Sequence, residues 1–552
     1  MMKNFQSSTS RSAPTFSGLL IGVVLLAAVL RLYQLGRVPA GMTWDEAAIA
    51  YNGFSVVTTY RDEWLERLPI SFRSFGDYKA PLAIYLNGAV TRVLGLELWA
   101  VRLPFALAGV AAVALMGVIL RRLAVDDPAL SSHSLVQPDS LALVGALLLA
   151  VSPWHHHFSR AGFESGLALT LLLASVWGWL KATDDHRTYW GVLGWLTVSA
   201  LSASLAMYAY HSAKIVVPLL GLALGWWWRS WVKHHPKQVL AAAGLGAVSL
   251  LPLLHDAVVK EGIARLSQTS IFTPELSFAQ LVLTAAGNFT SHLTPAFLVF
   301  GQTTTLRHGD GRWGVLLVTT LLLVVAALLG LVWHWRQGKG IPRTLGLGLV
   351  WVGVSLLPAA IGLEVPHSNR TLLGLPGVIL LAVAGLPLVE RLSRRVATQL
   401  DWTPHRTKLA GLSVLGMMLL LHSLLTLSYL HDYYTRFAAE SAAAFQEGYL
   451  EAFEYVLPFE TGQRGSDITK IVFSSSYGQP YIYALLARES SPYQYHAGDL
   501  IKYEFADVDI DDLSRRQAIV VAAGSDNLPI SEADHLILGS DSSVRFAIFI
   551  LE

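Results

Sequence analysis

The chain has 552 residues, of which 53% are hydrophobic and only 14% charged, against about 25% charged in soluble domains, so most of it is built for a lipid environment. A formal net charge of +1 excludes a global electrostatic attraction to nucleic acid. The absence of cysteine excludes disulfides, zinc–thiolate sites and thiol catalysis.

Gly18 to Leu30 is apolar and follows Lys3 and Arg11. It reads as a retained anchor rather than a cleaved signal peptide, because no small-x-small cleavage site follows and many apolar segments do. Long apolar runs at 17–33, 98–120, 139–152, 164–180, 189–207, 213–232, 238–255, 313–335, 344–363, 372–390 and 409–430 predict a polytopic α-helical protein with eleven spans. A further run from Pro81 to Gly95 would rise only about 22 Å as a helix, short of the ~30 Å hydrocarbon core. The 139–152 run is equally short, so charge decides between them. If 81–95 lies on the surface, one side of the membrane collects Arg121 and Arg122, Lys181 and Arg187, Arg229, Lys233 and Lys237. Arg336, Lys339 and Arg343, and Arg391, Arg394, Arg395, Arg406 and Lys408, fall on the same side. By the positive-inside rule that side is cytoplasmic. The chain is therefore expected to be a multi-pass plasma-membrane protein with a cytoplasmic N-terminus and outer segments at 34–97, 256–312 and 431–552.

After Leu430 the apolar runs shorten. KIVFSSS, QAIVVAAG and VRFAIFIL read as strands, with helical patterns near Ala439 to Val456 and Pro480 to Arg488. The expected division is a membrane part over 1–430 and a small extracytoplasmic α/β domain over 431–552. No repeat of fixed period is present.

The outer connectors carry cations against the charge bias: Arg160 in PWHHHFSRAGFES, Lys214 in YAYHSAK and Arg370 in EVPHSNR. Each is either a snorkelling anchor or part of a site, and their recurrence on separate turns favours a site. In GMTWDEAAIAYNGFSVV, the spacing of Trp44, Ala47, Ala48, Tyr51 and Phe54 predicts an amphipathic helix lying along the membrane surface. Thr43-x-x-Glu46 is a capping-box pattern, so Glu46 either closes the helix or takes part in chemistry. Asp45 sits in the first turn, where exposed amides and the helix dipole favour the ionised carboxylate, and can serve as a base. Lys79, in SFRSFGDYKAPLAIYL, is either a phosphate-holding cation or an interfacial anchor, with Asp77 as a possible partner. His155, His156 and His157 cannot all face one centre on a helix and read as interfacial. The sequence requires no cofactor, and no ligand spacing specifies a divalent metal. A carboxylate base with scattered cations at a membrane edge suits transfer of a group from a lipid phosphate.

At these residues the sequence resembles the GT-C glycosyltransferases, specifically the superfamily of protein O-mannosyltransferases and bacterial lipid A aminoarabinose transferases. The motifs that carry the resemblance occur in order: DE after the first span, DYKAPL, RLPFALAG, SPWHHHFSRAGFES and PHSNRTLLGLPGVILLAVAGL. The resemblance implies that Asp45 is the catalytic aspartate with Glu46 its companion, and that Lys79 lies near the carrier-lipid phosphate. It further implies that Glu164 is the acidic residue opening a span, and that Arg370 and His367 contact phosphate. Lys79-Ala80-Pro81 departs from the family's Lys-Pro-Pro or His-Pro-Pro, and Arg307 and His308 in TPAFLVFGQTTTLRHGDGRWG receive no role. The implied reaction is an inverting displacement from a polyprenyl-phosphate-linked sugar onto an acceptor glycan, lipid or protein, among membrane lipids and without nucleic acid. Two other readings compete. A transporter or lipid flippase predicts ionisable residues at mid-span and matching halves, and a non-catalytic outer-face scaffold predicts that Asp45 and Lys79 are replaceable.

Overall fold

The computed structural model describes residues 15–131, 137–184, 188–259, 269–273, 275–338, 340–464 and 468–551. Lys3, Arg11, Arg187, Lys339 and residues 260–268 of the 256–312 segment lie outside these, as does the side chain of Asp77.

Apolar helices occupy all eleven predicted runs. Among the described residues, eight are long and apolar enough to cross a membrane by length and composition: Leu98–Asp126, Glu164–Ala182, Tyr189–Ala209, Pro236–Val259, Val318–Arg336, Arg343–Ala360, Ser368–Gln399 and Pro404–Glu440. Three are shorter: Phe16–Leu32, Pro138–Ala150 and Ala213–Trp227. Helix satisfies every interior backbone donor and acceptor locally, which an apolar medium demands. The run predicted from 313 becomes helical only at Val318. Before that point the backbone pairs with an earlier segment, Leu316 N–H to the Leu298 carbonyl at 2.8 Å and Gly314 N–H to that of Val299 at 3.0 Å.

The first helix, α1 (Phe16–Leu32), is followed by α2 (Trp44–Thr59), a short hairpin of β1 (Phe72–Ser74) and β2 (Asp77–Lys79), then α3 (Pro81–Leu94) and α4 (Leu98–Asp126). Ala112, Val113, Met116, Ile119 and Leu120 make α4 the centre of the apolar core, where it packs against α1, Pro138–Ala150 and Glu164–Ala182. The helix Pro404–Asp432 instead leaves Leu409, Met417, Leu420, Leu424 and Leu427 exposed, an apolar face suited to lipid.

The apolar stripe of α2 does not lie on lipid. Ala47, Ala48, Ala50 and Tyr51 share a core with the C-terminal domain, while Ile49 and Val56 on the opposite side belong to the membrane core. Small residues let α2 approach both bodies, and its periodicity is satisfied by protein as readily as by membrane. Helix α3 crosses α2 in backbone contact: a Cβ on Gly88 would sit 2.3 Å from the Gly53 carbonyl oxygen, and one on Gly53 2.8 Å from the Gly88 nitrogen. Only glycine fits at either position.

The C-terminal domain is a five-stranded sheet in the order β4-β3-β5-β7-β6, from β3 (Lys470–Ser474), β4 (Tyr503–Ala506), β5 (Ala518–Ala523), β6 (His535–Leu538) and β7 (Val544–Leu551). β3 is parallel to β4 and β5, and β7 is antiparallel to β5 and β6. Alternate residues Ile471 and Phe473, Ile519 and Val521, and Phe546 and Ile548 face the helices Tyr449–Glu460 and Pro480–Ala487 and, through them, α2. The helix expected near Ala439 to Val456 is interrupted by turns over 441–448, where Gly448 takes φ +100° before Tyr449–Glu460 begins.

Candidate functional site

The two adjacent carboxylates at the start of α2 have different fates, because successive helical residues point about 100° apart. Thr43 Oγ1 accepts the Glu46 N–H at 3.2 Å and Glu46 Oε2 accepts the Thr43 N–H at 3.0 Å, which completes the capping box. Glu46 also receives Arg102 Nε on Oε1 at 2.7 Å, Arg102 Nη2 on Oε2 at 3.1 Å and the Gly162 N–H at 2.8 Å. Arg102 spends its remaining donors on the carbonyls of Leu35, Pro39 and Gly41. Both side chains are buried. Glu46 thus ties the 34–46 connector, α4 and the turn before Glu164 together, and its oxygens are engaged by protein.

Asp45 is 43% exposed and forms an ion pair with Lys79, whose side chain is 7% exposed. Lys79 ends a hairpin whose register pairs Phe72 with Lys79 and Ser74 with Asp77. Its two-residue turn, Phe75-Gly76, has φ of +57° and +75°, the handedness that matches the twist of short hairpins. Phe75 lies 5.5 Å below the Lys79 ammonium and packs edge-on against Tyr481 of the C-terminal domain at 5.9 Å. Pro81 then opens α3 at its first turn, where a missing N–H costs nothing. The hairpin end is therefore pinned by α3 on one side and by the C-terminal domain on the other.

Two further segments reach this centre. The Arg307 guanidinium stacks 4.3 Å over the Trp44 ring, next to Asp45 in sequence. The adjacent His308 ring lies 4.3 Å from that of His367, whose Nε2 is 3.5 Å from Glu364 Oε2. Burial, then Arg307, holds the His308 imidazole down to about 3, while Asp45 acts on it in the opposite sense. Burial, then His308 and Arg370, holds His367 well below the ordinary histidine value. Both rings are therefore neutral near pH 7. Arg370 approaches Gly362 so closely that a Cβ there would meet its Nη1 at 1.8 Å, and it donates to the Thr269 carbonyl at 3.3 Å. Lys214 borders the hairpin through His211, whose ring lies 3.3 Å from the Lys214 ammonium and 3.0 Å from the Tyr78 carbonyl oxygen.

Of the residues singled out from sequence, Asp45, Lys79, His367 and Arg370 fall around one centre and Lys214 flanks it. Glu164 opens its helix two residues after Gly162. Arg160 does not join them: it is buried and donates to the carbonyls of Leu30, Arg31, Gln34 and Val38, fastening the connector after α1. The three consecutive histidines are buried rather than interfacial, because each finds an internal partner in a different direction. His155 meets Arg31 at 2.6 Å, His156 the Tyr429 hydroxyl at 2.9 Å and His157 the Arg307 carbonyl at 2.8 Å. Arg307 and His308 received no role from sequence reasoning and Glu364 was not singled out; all three come from loops without regular spacing. Their one signal was a basic pair, Arg307-His308, in the loop between the helices Pro295–Leu298 and Val318–Arg336. A cleft of about 570 Å³ lined by Arg37, Glu97, Gln446, Glu451, Glu454 and Tyr483 opens between the 36–42 connector and the C-terminal domain.

No family model matches the chain, and no curated protein matches it in sequence. Solved structures do match. ArnT from Cupriavidus metallidurans bound to undecaprenyl phosphate superposes with a TM-score of 0.51 at 12% identity, covering 97% of this chain and 98% of that one. The Archaeoglobus fulgidus oligosaccharyltransferase in the apo form gives 0.52 at 11% identity, over 94% of this chain and 70% of that one. The archaeal oligosaccharyltransferase AglB from Archaeoglobus fulgidus, in complex with an inhibitory peptide and a dolichol-phosphate, gives 0.50 at 12% identity, over 92% and 69%. At such identities the likeness is one of architecture, and this chain has the GT-C membrane fold with a C-terminal sheet domain.

Proposed function

We propose that the chain is a membrane glycosyltransferase that moves a monosaccharide from a polyprenyl-phosphate carrier to an acceptor on the outer face of the membrane. The observation that carries this reading is the half-exposed Asp45 paired with the nearly buried Lys79, in the company of Arg307 and Arg370 from two other segments. Undecaprenyl phosphate and dolichol-phosphate in proteins of the same architecture support a lipid phosphate as the ligand of those cations.

The chemistry follows from charge. The donor is a phosphodiester carrying one negative charge. The acceptor hydroxyl attacks the anomeric carbon from the face opposite the phosphate, and the anomeric carbon–oxygen bond breaks with inversion. Asp45 accepts the hydroxyl proton, and the carrier leaves as a phosphate monoester that gains a second negative charge. Lys79 and the arginines stabilise that added charge, which is present only as the bond breaks. In the resting protein Lys79 engages Asp45. A bound donor competes for the ammonium and turns the carboxylate toward the acceptor. Glu46 serves by fixing the turn that carries Asp45, and the 431–552 segment serves by covering α2 from outside. The orientation that fits is a cytoplasmic N-terminus with the α2 end of the bundle outside.

The test is purified full-length protein in lipid nanodiscs, supplied with polyprenyl-phosphate sugars and extracts of envelope acceptors. Release of free polyprenyl phosphate with transfer of the sugar is the expected result. Absence of release with every donor, from protein that remains folded, would remove the reading. The glycans lost from a deletion strain would name the acceptor.

A further inference from the structure

The end of the bundle remote from Asp45 carries a groove that sugar transfer does not use. The helix Leu375–Gln399 starts close to Arg370, and Arg391 lies about 24 Å further along its axis. The helix Val318–Arg336 leaves the loop that holds Arg307 and His308 and reaches Trp333 at a comparable depth, about 22 Å along. The two helices pack side by side, and between them opens a groove of about 410 Å³, within the size range of small-ligand clefts. Leu329 and Trp333 line one wall, and Leu388, Arg391, Leu392, Arg394 and Arg395 line the other. Leu329 and Leu392 are exposed, so the groove opens on the apolar flank of the bundle.

The lining is graded along the helix axes. Leu329 and Leu388 come first from the Asp45 side, and Trp333 and the arginines come last. Arg391 and Arg395 stand one helical turn apart, a like-charge pair that is destabilising on an isolated helix. Both turn onto the Trp333 ring of the neighbouring helix, at 5.3 and 5.2 Å from its centroid. Arg394 pairs with Glu390. Three guanidiniums thus stand against one carboxylate, and among the described residues no acidic side chain lines the groove. Arginines that only anchor a helix end reach outward to the headgroups, whereas these two meet over one indole. Stacking engages a guanidinium's face and phosphate is recognised through its edge, so one ring can orient both cations for one anion.

We propose that this groove binds one anionic glycerophospholipid of the surrounding bilayer, with its phosphate between Arg391 and Arg395 and an acyl chain along Leu388, Leu329 and Leu392. The arginine cluster selects an anionic head over a zwitterionic one. The apolar wall selects a lipid over a free phosphate ion, which gains nothing from the leucines. The bound lipid would clamp the ends of Val318–Arg336 and Leu375–Gln399, whose other ends carry the Arg307–His308 loop and the Arg370 turn. The proposal rests on the bundle lying in a membrane and not on the sugar-transfer reading, which uses the opposite end.

The experiment uses the full chain, purified in detergent, freed of lipid and titrated with phosphatidylglycerol, phosphatidylcholine or inorganic phosphate. Native mass spectrometry counts bound lipids, and thermal unfolding reads stability. One phosphatidylglycerol per chain with a raised Tm is expected, while phosphatidylcholine and phosphate at the same concentration should leave the Tm unchanged. Arg391→Gln combined with Arg395→Gln should weaken phosphatidylglycerol about 30-fold, roughly fivefold for each basic residue. Arg395→Gln alone, at an exposed position, should weaken it about fivefold and keeps the test valid should the double variant fail to fold. Arg229→Gln removes an exposed arginine stacked over Trp226 outside the groove and should bind as wild type does. Wild-type affinity in Arg395→Gln, or an equal response to phosphatidylcholine or to phosphate, would overturn the proposal. So would a second copy of the chain in the groove, seen as a dimer that the double substitution splits.

Discussion

Glu46 and Arg102 form a buried ion pair, Oε1 to Nε at 2.7 Å, one residue away from a carboxylate that is 43% exposed. Removing one partner leaves the other charged, buried and unpaired, which costs about 3–5 kcal/mol. Glu46→Gln and Arg102→Ala are expected to lower unfolding stability by that order. Asp45→Asn should leave stability within about 1 kcal/mol of wild type, as for an exposed pair. Thermal unfolding of the three proteins in one detergent checks it. Equal losses at Asp45 and Glu46 would contradict the division of roles.

Lys79 holds the developing phosphate charge in the proposed reaction. Deleting a charge-assisted contact costs about 1.5–3 kcal/mol, so Lys79→Ala is expected to weaken productive use of the lipid donor roughly 10- to 100-fold. Initial rates at varied donor concentration measure this. Lys79→Arg should recover part of the loss, because the charge is kept while its reach differs.

The crossing of α2 and α3 rests on glycines in backbone contact. Gly88→Ala is expected to force the helices apart, lowering stability by about 1–3 kcal/mol and displacing the Lys79 hairpin carried on the α3 end. Gly95→Ala, at the C-cap where nothing lies within 4 Å, meets no such contact, although its φ of +86° still carries some strain. A larger loss at Gly88 than at Gly95, in both unfolding and transfer assays, is the expected outcome.

Glu63 joins the loop between α2 and β1 to the C-terminal domain, and its burial predicts a pH-dependent stability. Its carboxyl accepts from Asn52, Trp64 and Ser74 and contacts the Tyr481 hydroxyl at 3.4 Å, and His496 reaches its backbone carbonyl at 2.9 Å. Burial pushes it up from 4.5 to about 7. Below 4.5 both folded and unfolded chains hold the proton. Between 4.5 and 7 only the folded chain does, so stability falls as pH rises through that window, by roughly 3 kcal/mol in total. Glu63→Gln should flatten that part of the Tm-versus-pH curve.

The bundle was legible in the sequence because lipid imposes long apolar runs, and all eleven became helices. Strands β3, β5 and β7 were legible from short β-branched and aromatic runs, whereas β4 and β6, only four residues each at the sheet edges, were not. Asp45 and the Thr43–Glu46 cap could be read from local pattern alone. What Glu46, Arg160 and the three histidines do could not, because their partners lie more than 50 residues away in most cases and are set by packing. The same holds for α2, whose apolar stripe met a protein domain instead of lipid. Arg307 and His308 sat in an aperiodic loop, so only the folded chain brings them to Trp44 and His367.

In the proposed reaction Asp45 accepts the acceptor's proton during transfer from a lipid phosphate. The direct measurement is single-turnover sugar transfer by Asp45→Asn, with lipid-donor binding and thermal unfolding measured on the same preparation. A fall in rate of about 10²- to 10⁴-fold with donor binding and folding retained is expected. Transfer at the wild-type rate by a folded Asp45→Asn protein would contradict it.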